Sequence, residues 1–239
     1  MNALEKDVRD YTRTIMQDMK NQHTLPAYVS LGNEMQGGLL FPYGVTSSAE
    51  GWNNLARFLR AGYEAVKEVS PSTKVILHLD DAGNMDKYDW FFSTAEAHDI
   101  PFDVIGSSYY PFWTRKDIPT VCAFFNNLYD RFGKKIMVME TGVNWNPVTA
   151  DGTPGQLTDD GGVHYPQTPQ GQKDFLLDLF RQLKQVKDGA VLGALYWDPV
   201  MIPAPGVGWV VGQPNFVSNA TLFDFQGKAL PALSAFRTS

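Results

Sequence analysis

Two kinds of hydrophobic pattern alternate along the chain. Short apolar runs are bounded by Gly, Pro, Asp or Asn, and longer segments repeat an apolar residue every three or four positions. The first kind predicts buried strands and the second amphipathic helices. Residues 4–21, LEKDVRDYTRTIMQDMKN, predict a helix, and residues 27–33, AYVSLGN, a strand. The next helix carries Trp52, Leu55, Ala56, Leu59, Tyr63 and Val66 at helical spacing and is stopped by Ser70 and Pro71. KVILHLD at 74–80 predicts a second strand, and YDWFFSTAEAH at 88–98 a helix, a unit that Pro101 ends. FDVIGSSYYPFW at 102–113 predicts a third strand running into an aromatic-rich loop, followed by a helix at 120–132 and a fourth strand, KKIMVMETG, at 134–142. Residues 141–168 predict a long loop rich in Gly, Pro, Asp and Thr, of a length that is usually functional in a compact domain. A helix at 169–186 and a fifth strand, AVLGALYWDP, at 190–199 follow.

Strand and helix patterns that alternate without a repeat, a low-complexity tract or a linker predict a parallel α/β sheet and one domain over residues 1–239. A closed (β/α)8 barrel has eight strands over about 250 residues. Five are countable here and the chain opens on a helix. The fold class expected is therefore α/β of the (β/α)8 TIM-barrel type, as a partial barrel lacking the first three βα units. Such a sheet has two free edges and an uncovered apolar interior, so the chain by itself is expected to be weakly active or inactive.

Composition narrows the class. The chain has 239 residues, 44% of them hydrophobic, enough for a sizeable core. A formal net charge of −6 gives no basic face to follow phosphates, which argues against nucleic acid as a partner. No run of about 18 apolar residues argues for a membrane span, and MNALEKDVRD lacks the apolar stretch of a signal peptide. The single cysteine, Cys122, excludes an internal disulfide and reads as a buried structural thiol.

Two of the predicted strands run out into carboxylates. In parallel α/β sheets the carboxyl-terminal ends of the strands open onto the face that binds ligands. Glu34 follows the apolar stretch of YVSLGNEMQGG, and Glu140 follows that of KKIMVMETG. Retaining glycoside hydrolysis needs two carboxyl groups about 5 to 5.5 Å apart, one protonated to release the leaving sugar and one ionised to attack the anomeric carbon. Strand-end glutamates can supply such a pair, although solvated loop glutamates give the same pattern. Asn33 is placed to hydrogen-bond a sugar hydroxyl. Tyr109 or Tyr110 is placed to donate to the nucleophile and hold it ionised.

Several longer stretches carry a resemblance. LGNEMQGGLLFPYG, VILHLDDAGNMDKYDWFF, FDVIGSSYYPFW, VMETGVNW, LYWDPVMIP and NATLFDFQGKALPALSAF occur in the order and spacing of glycoside hydrolase family 53. The chain resembles the arabinogalactan endo-β-1,4-galactanases over almost its whole length. The resemblance implies a retaining (β/α)8 enzyme with its acid/base on the family's fourth strand, in a Gly-Asn-Glu motif, and its nucleophile on the seventh. It puts the acid/base at Glu34 and the nucleophile at Glu140. It further implies sugar contacts by His78 and Asp80 of the His-Leu-Asp motif, by Tyr109, Tyr110 and Trp113 of SYYPFW, and by Trp197 of YWDP, where Asp198 replaces the family's usual Glu.

Departures from the pattern accompany it. The family's first three strands, its arginine-rich second-strand motif and its His-Tyr-Ser-Asp-rich loop have no counterpart in the sequence. The implied substrate is the β-1,4-galactan of type I arabinogalactan or pectic side chains, and the implied location is extracellular. No cofactor and no metal are expected. Some bacterial relatives bind calcium in the loop after the seventh strand, where this chain has Asp159, Asp160 and His164, but their spacing does not follow an EF-hand and an acidic loop is more often solvated. Two other readings stay open: a carbohydrate-binding remnant without a competent site, and a clan relative acting on another β-linked polysaccharide.

Overall fold

The computed structural model describes residues 2–237 apart from 207, 209, 211 and 214. Its order is α1 (Asn2–Asn21), β1 (Tyr28–Ser30), a 3-10 turn at Met35–Gly37, β2 (Gly38–Leu39), β3 (Gly44–Val45), α2 (Ala49–Val69), β4 (Lys74–Leu79), α3 (Met85–Ala97), β5 (Val104–Tyr109), α4 (Pro111–Thr114), α5 (Ile118–Phe132), β6 (Lys135–Thr141), α6 (Pro169–Leu183) and β7 (Val191–Tyr196), with 3-10 segments at Lys187–Gly189 and Pro231–Arg237. Five strands form one sheet in the order β1-β4-β5-β6-β7, and β2 and β3 form a separate antiparallel pair. Val29 pairs with Val75 and Leu77 with Ile105, both in parallel register. The predicted class holds: the fold is α/β of the TIM-barrel type, with five sheet strands among the described residues. The chain divides into two compact units, one made of residues 1–80, 84–107 and 131–137, the other of 81–83, 108–130 and 138–239.

β4 and β5 are buried at almost every position, as strands covered on both faces are, with His78, Ser107 and Ser108 buried among the apolar residues. α2 starts where the Ser48 hydroxyl accepts the Gly51 N–H, and Ser70 before Pro71 ends it. Met16 of α1 packs with Val66, Val69 and Val75, and with Val29, Leu31 and Tyr63 at its margin. Arg9 pairs with Glu64 and Glu68, and Arg57 with Glu5, across the same two helices. Beneath α3, Phe91 and Phe92 are fully buried, and Phe92 stacks toward Phe102 and Phe132; each such ring contributes roughly 1.5–3 kcal/mol relative to exposure. Lys67 Nζ lies 2.8 Å from Asp103 Oδ2, which also accepts the Val75 N–H. Burial pushes the Asp103 carboxyl up, but these donors outweigh it and hold the group below its usual range.

β1 is shorter than its apolar run, so Glu34 lies four residues beyond the strand rather than at its last position. The sequence pattern did not show the β2–β3 hairpin. Its strands touch through glycines, and a Cβ built on Gly38 would stand 2.0 Å from the Gly44 carbonyl oxygen.

In the second unit, α6 begins at Thr168, whose hydroxyl accepts the Gly171 N–H, with Pro169 in the first helical turn. Residues 142–168 contain no helix or strand, as predicted, but they are firmly tied down. The Trp145 N–H donates to Asn219 O at 2.8 Å and its indole to Ser218 O at 3.2 Å. The Tyr196 hydroxyl donates to Ala220 O at 2.6 Å and to Val143 O at 3.0 Å, and receives the Gln172 amide at 2.9 Å. Where an aromatic loop was expected, Pro111–Thr114 forms one turn of helix.

Candidate active site

Glu34 leaves β1 through a turn with backbone angles φ 42° and ψ 56° and caps the 3-10 turn Met35–Gly37. This left-handed conformation is uncommon outside glycine and costs of order 1–3 kcal/mol, strain that concentrates at functional sites. The Glu34 amide donates to His78 Nδ1 at 3.5 Å, the long limit of a hydrogen bond. His78 sits on β4 with 1% exposure, and burial lowers its pKa to about 4. It is neutral at neutral pH, and with Nδ1 accepting, Nε2 carries the proton. Asp80, one residue past β4, receives Lys87 Nζ at 2.7 Å, and its amide donates to Gln36 Oε1 at 3.4 Å. Tyr88 ties the same strand end by donating to Asp80 O at 2.9 Å. Asn33 is exposed on the Glu34 turn.

In the second unit Glu140 is the penultimate residue of β6, half-buried, and its Oε2 accepts the Tyr110 hydroxyl at 3.0 Å. A phenol donating to a carboxylate fixes its orientation and stabilises its charge. Tyr109 and Tyr110 sit at successive extended positions and point to opposite sides. Tyr109 is fully buried against Phe175, donates to Lys116 O at 3.0 Å, and its phenol is pushed upward by burial. Trp113 is 55% exposed with its edge on Phe112, and Trp197, just after β7, is 48% exposed. The Trp197 N–H donates to Thr141 O at 2.9 Å, which keeps the ends of β6 and β7 side by side. Gly142 makes this approach possible: a Cβ there would stand 2.8 Å from Trp197 O and 3.3 Å from a Tyr110 ring carbon.

The sequence model of glycosyl hydrolase family 53 matches residues 1–236. The chain belongs to this family. An arabinogalactan endo-beta-1,4-galactanase of Thermothelomyces thermophilus is 30% identical over 237 residues, covering 95% of this chain and 66% of its own. An uncharacterized protein of Niallia circulans is 34% identical over 244 residues, covering 98% of this chain and 65% of its own. The solved family-53 catalytic domain of Ignisphaera aggregans superposes with a TM-score of 0.89 at 35% identity, over 98% of this chain and 64% of that one. The chain spans about two thirds of the length of the curated relatives it matches.

For this family-53 chain, the open choice between two tyrosines resolves to Tyr110 as the partner of Glu140. Tyr109, expected at the sugar site, is instead a core residue, because the strand's alternation turns it inward. His78 is also buried, with its ring nitrogen under the Glu34 backbone, and Asp80 is held in an ion pair with Lys87. Trp113 and Trp197 present open rings, and Asp198 Oδ1 accepts the Val200 amide at 3.2 Å. Gln36, Lys87 and Gly142 went unnoticed in the sequence; only the glycine directly after the strand 6 carboxylate gave a signal. Asp159, Asp160 and His164 lie in the loop after β6. Asp159 is taken by Arg115 at 2.9 Å and by the Gly161 N–H, Asp160 accepts the Gly162 N–H, and among the described residues these three form no group with metal-ligand spacing. No helix among the described residues is long and apolar enough to cross a membrane.

Proposed function

We propose that residues 1–239 form one catalytic domain of a retaining endo-β-1,4-galactanase, with Glu34 as acid/base and Glu140 as nucleophile. The observation that carries this reading is the Tyr110–Glu140 hydrogen bond of 3.0 Å at the end of β6, in a chain whose family match runs over residues 1–236. The name of the Thermothelomyces relative supports the substrate, a β-1,4-linked galactan of type I arabinogalactan. An extracellular location follows from a polymeric substrate of that kind.

In the first step Glu140 attacks the anomeric carbon while Glu34 gives its proton to the glycosidic oxygen, and the leaving sugar departs with that proton. In the second step Glu34 takes a proton from water, the water attacks the glycosyl-enzyme, and Glu140 leaves as carboxylate. Each step inverts the anomeric centre, so the product keeps the β configuration. Tyr110 donates to the oxygen of Glu140 that does not attack and keeps the carboxylate from rotating. The open faces of Trp113 and Trp197 are offered to sugar rings, Asn33 to a sugar hydroxyl, and His78 and Asp80 support the Glu34 turn and its surroundings. The reaction needs no cofactor, since both protons and the nucleophile come from side chains and water.

Proton NMR of a β-1,4-galactan digest tests the stereochemistry. The new reducing ends are expected first as the β-anomer, with the α-anomer growing in only by mutarotation. First appearance of the α-anomer contradicts the double displacement.

A further inference from the structure

The hairpin that follows Glu34 holds its large apolar side chains outward. Phe41 is 67% exposed and Tyr43 50% exposed, yet the turn that carries them is closed and anchored. The Tyr43 N–H donates to Leu40 O at 3.0 Å, Asn54 Nδ2 donates to Tyr43 O at 3.0 Å, and the Thr46 hydroxyl donates to Gln36 O at 2.6 Å. Leu40 adopts φ 54°, a conformation that disfavours a leucine. A strained residue in an otherwise well-bonded turn marks a fixed geometry, and here that geometry directs a phenylalanine into solvent.

The ring is not far from the candidate acid. A Cβ built on Gly37 would stand 3.7 Å from Phe41 Cζ, so the hairpin folds its phenyl ring back over Gly37. Gly37 ends the same 3-10 turn that Glu34 caps. Phe41 therefore lies on the turn of the carboxyl group that gives a proton to the glycosidic oxygen, and that oxygen departs with the leaving sugar.

We propose that Phe41 is a stacking platform for a galactose unit on the leaving-group side of the scissile bond. The assignment rests on the galactanase reading given above. A β-galactopyranose carries its 4-hydroxyl axially and gathers the C–H groups of C3, C4 and C5 on its other face, an apolar patch about the size of a phenyl ring. Aromatic rings take such flat apolar surfaces with a favourable geometry. The anchored backbone loses little freedom on binding, which is how a single ring on a rigid turn contributes to affinity.

Calorimetric titration of the full chain with β-1,4-galactotetraose tests the platform, using wild type, Phe41→Ala and Phe41→Trp. Phe41→Ala is expected to weaken binding about tenfold, and Phe41→Trp to restore it, with circular dichroism unchanged in both. Wild-type affinity in Phe41→Ala overturns the platform while leaving the galactanase reading in place. Absence of galactotetraose binding by wild type overturns both. The products of galactotetraose cleavage report the side: Phe41→Ala is expected to shift cleavage away from the bond whose leaving part spans the platform, and an unchanged product ratio overturns the assignment to that side.

Discussion

Glu34 and Glu140 are two strand-exit carboxyls that the chain treats differently. Glu34 is held by its backbone, in a left-handed turn with its amide on His78, whereas Glu140 is held by its side chain through the Tyr110 hydroxyl. In the proposed mechanism the acid/base serves two steps, giving and then taking a proton, while the nucleophile keeps one oxygen aimed at the anomeric carbon. The Tyr110 bond therefore bears on rate more than on stability. A hydrogen bond to a charged group contributes about 1.5–3 kcal/mol, so Tyr110→Phe is expected to lower kcat roughly 10- to 100-fold with the melting temperature nearly unchanged. Steady-state kinetics beside a thermal melt check this, and a variant with wild-type kcat removes Tyr110 from the mechanism. Glu34 and Glu140 were singled out in the sequence by the family motifs around them, since an apolar run ending on a carboxylate also occurs at KVILHLD. The choice between Tyr109 and Tyr110 was not legible, since two adjacent tyrosines carry no mark of which faces inward until the strand's register is fixed.

At the scale of elements, the parts read most easily were those whose own pattern decides them. KVILHLD and FDVIGSS carry short apolar runs and form buried strands; Ser48 and Thr168 stand where helices begin. The β2–β3 hairpin escaped because each strand is two residues long and the segment GGLLFPYG has no alternation to read. Its specification lies in close backbone contact. Gly38 has φ +113°, and a Cβ there would fall 2.0 Å from Gly44 O. Gly38→Ala is expected to destabilise the chain by roughly 2 kcal/mol or more through this overlap and the unfavourable φ, and urea unfolding measures it; an unchanged midpoint shows that the hairpin opens without cost. The 142–168 loop was legible as a loop, but its anchoring was not. Trp145 bonds to Ser218 and Asn219, more than seventy positions away, and the Val143 carbonyl accepts the Tyr196 hydroxyl; nothing local announces either pairing.

For the molecule as a whole, the buried neutral His78 sets a pH dependence of stability. Its pKa lies at about 4 in the folded chain against the 6.5 of an ordinary histidine. The unfolded chain therefore takes up a proton first, and stability present above pH 6.5 is lost as pH falls toward 4, then levels off. The loss attributable to this group is about 3 kcal/mol. Wild type compared with His78→Gln in urea at pH 7 and pH 4.5 isolates it: the wild type is expected to lose more stability than the variant between the two, and equal losses contradict a buried neutral imidazole. At the end of the sheet order, β7 leaves Leu192 and Leu195 39% and 50% exposed, as the reading of five strands with free edges anticipated. The activity proposed for this chain rests on its two carboxyl groups. The most direct measurement is reducing-end release from β-1,4-galactan by the 239-residue chain and by Glu140→Gln. Release by the wild type that falls to the protein-free background in Glu140→Gln is the result expected of a galactanase nucleophile. Release that survives the substitution contradicts it.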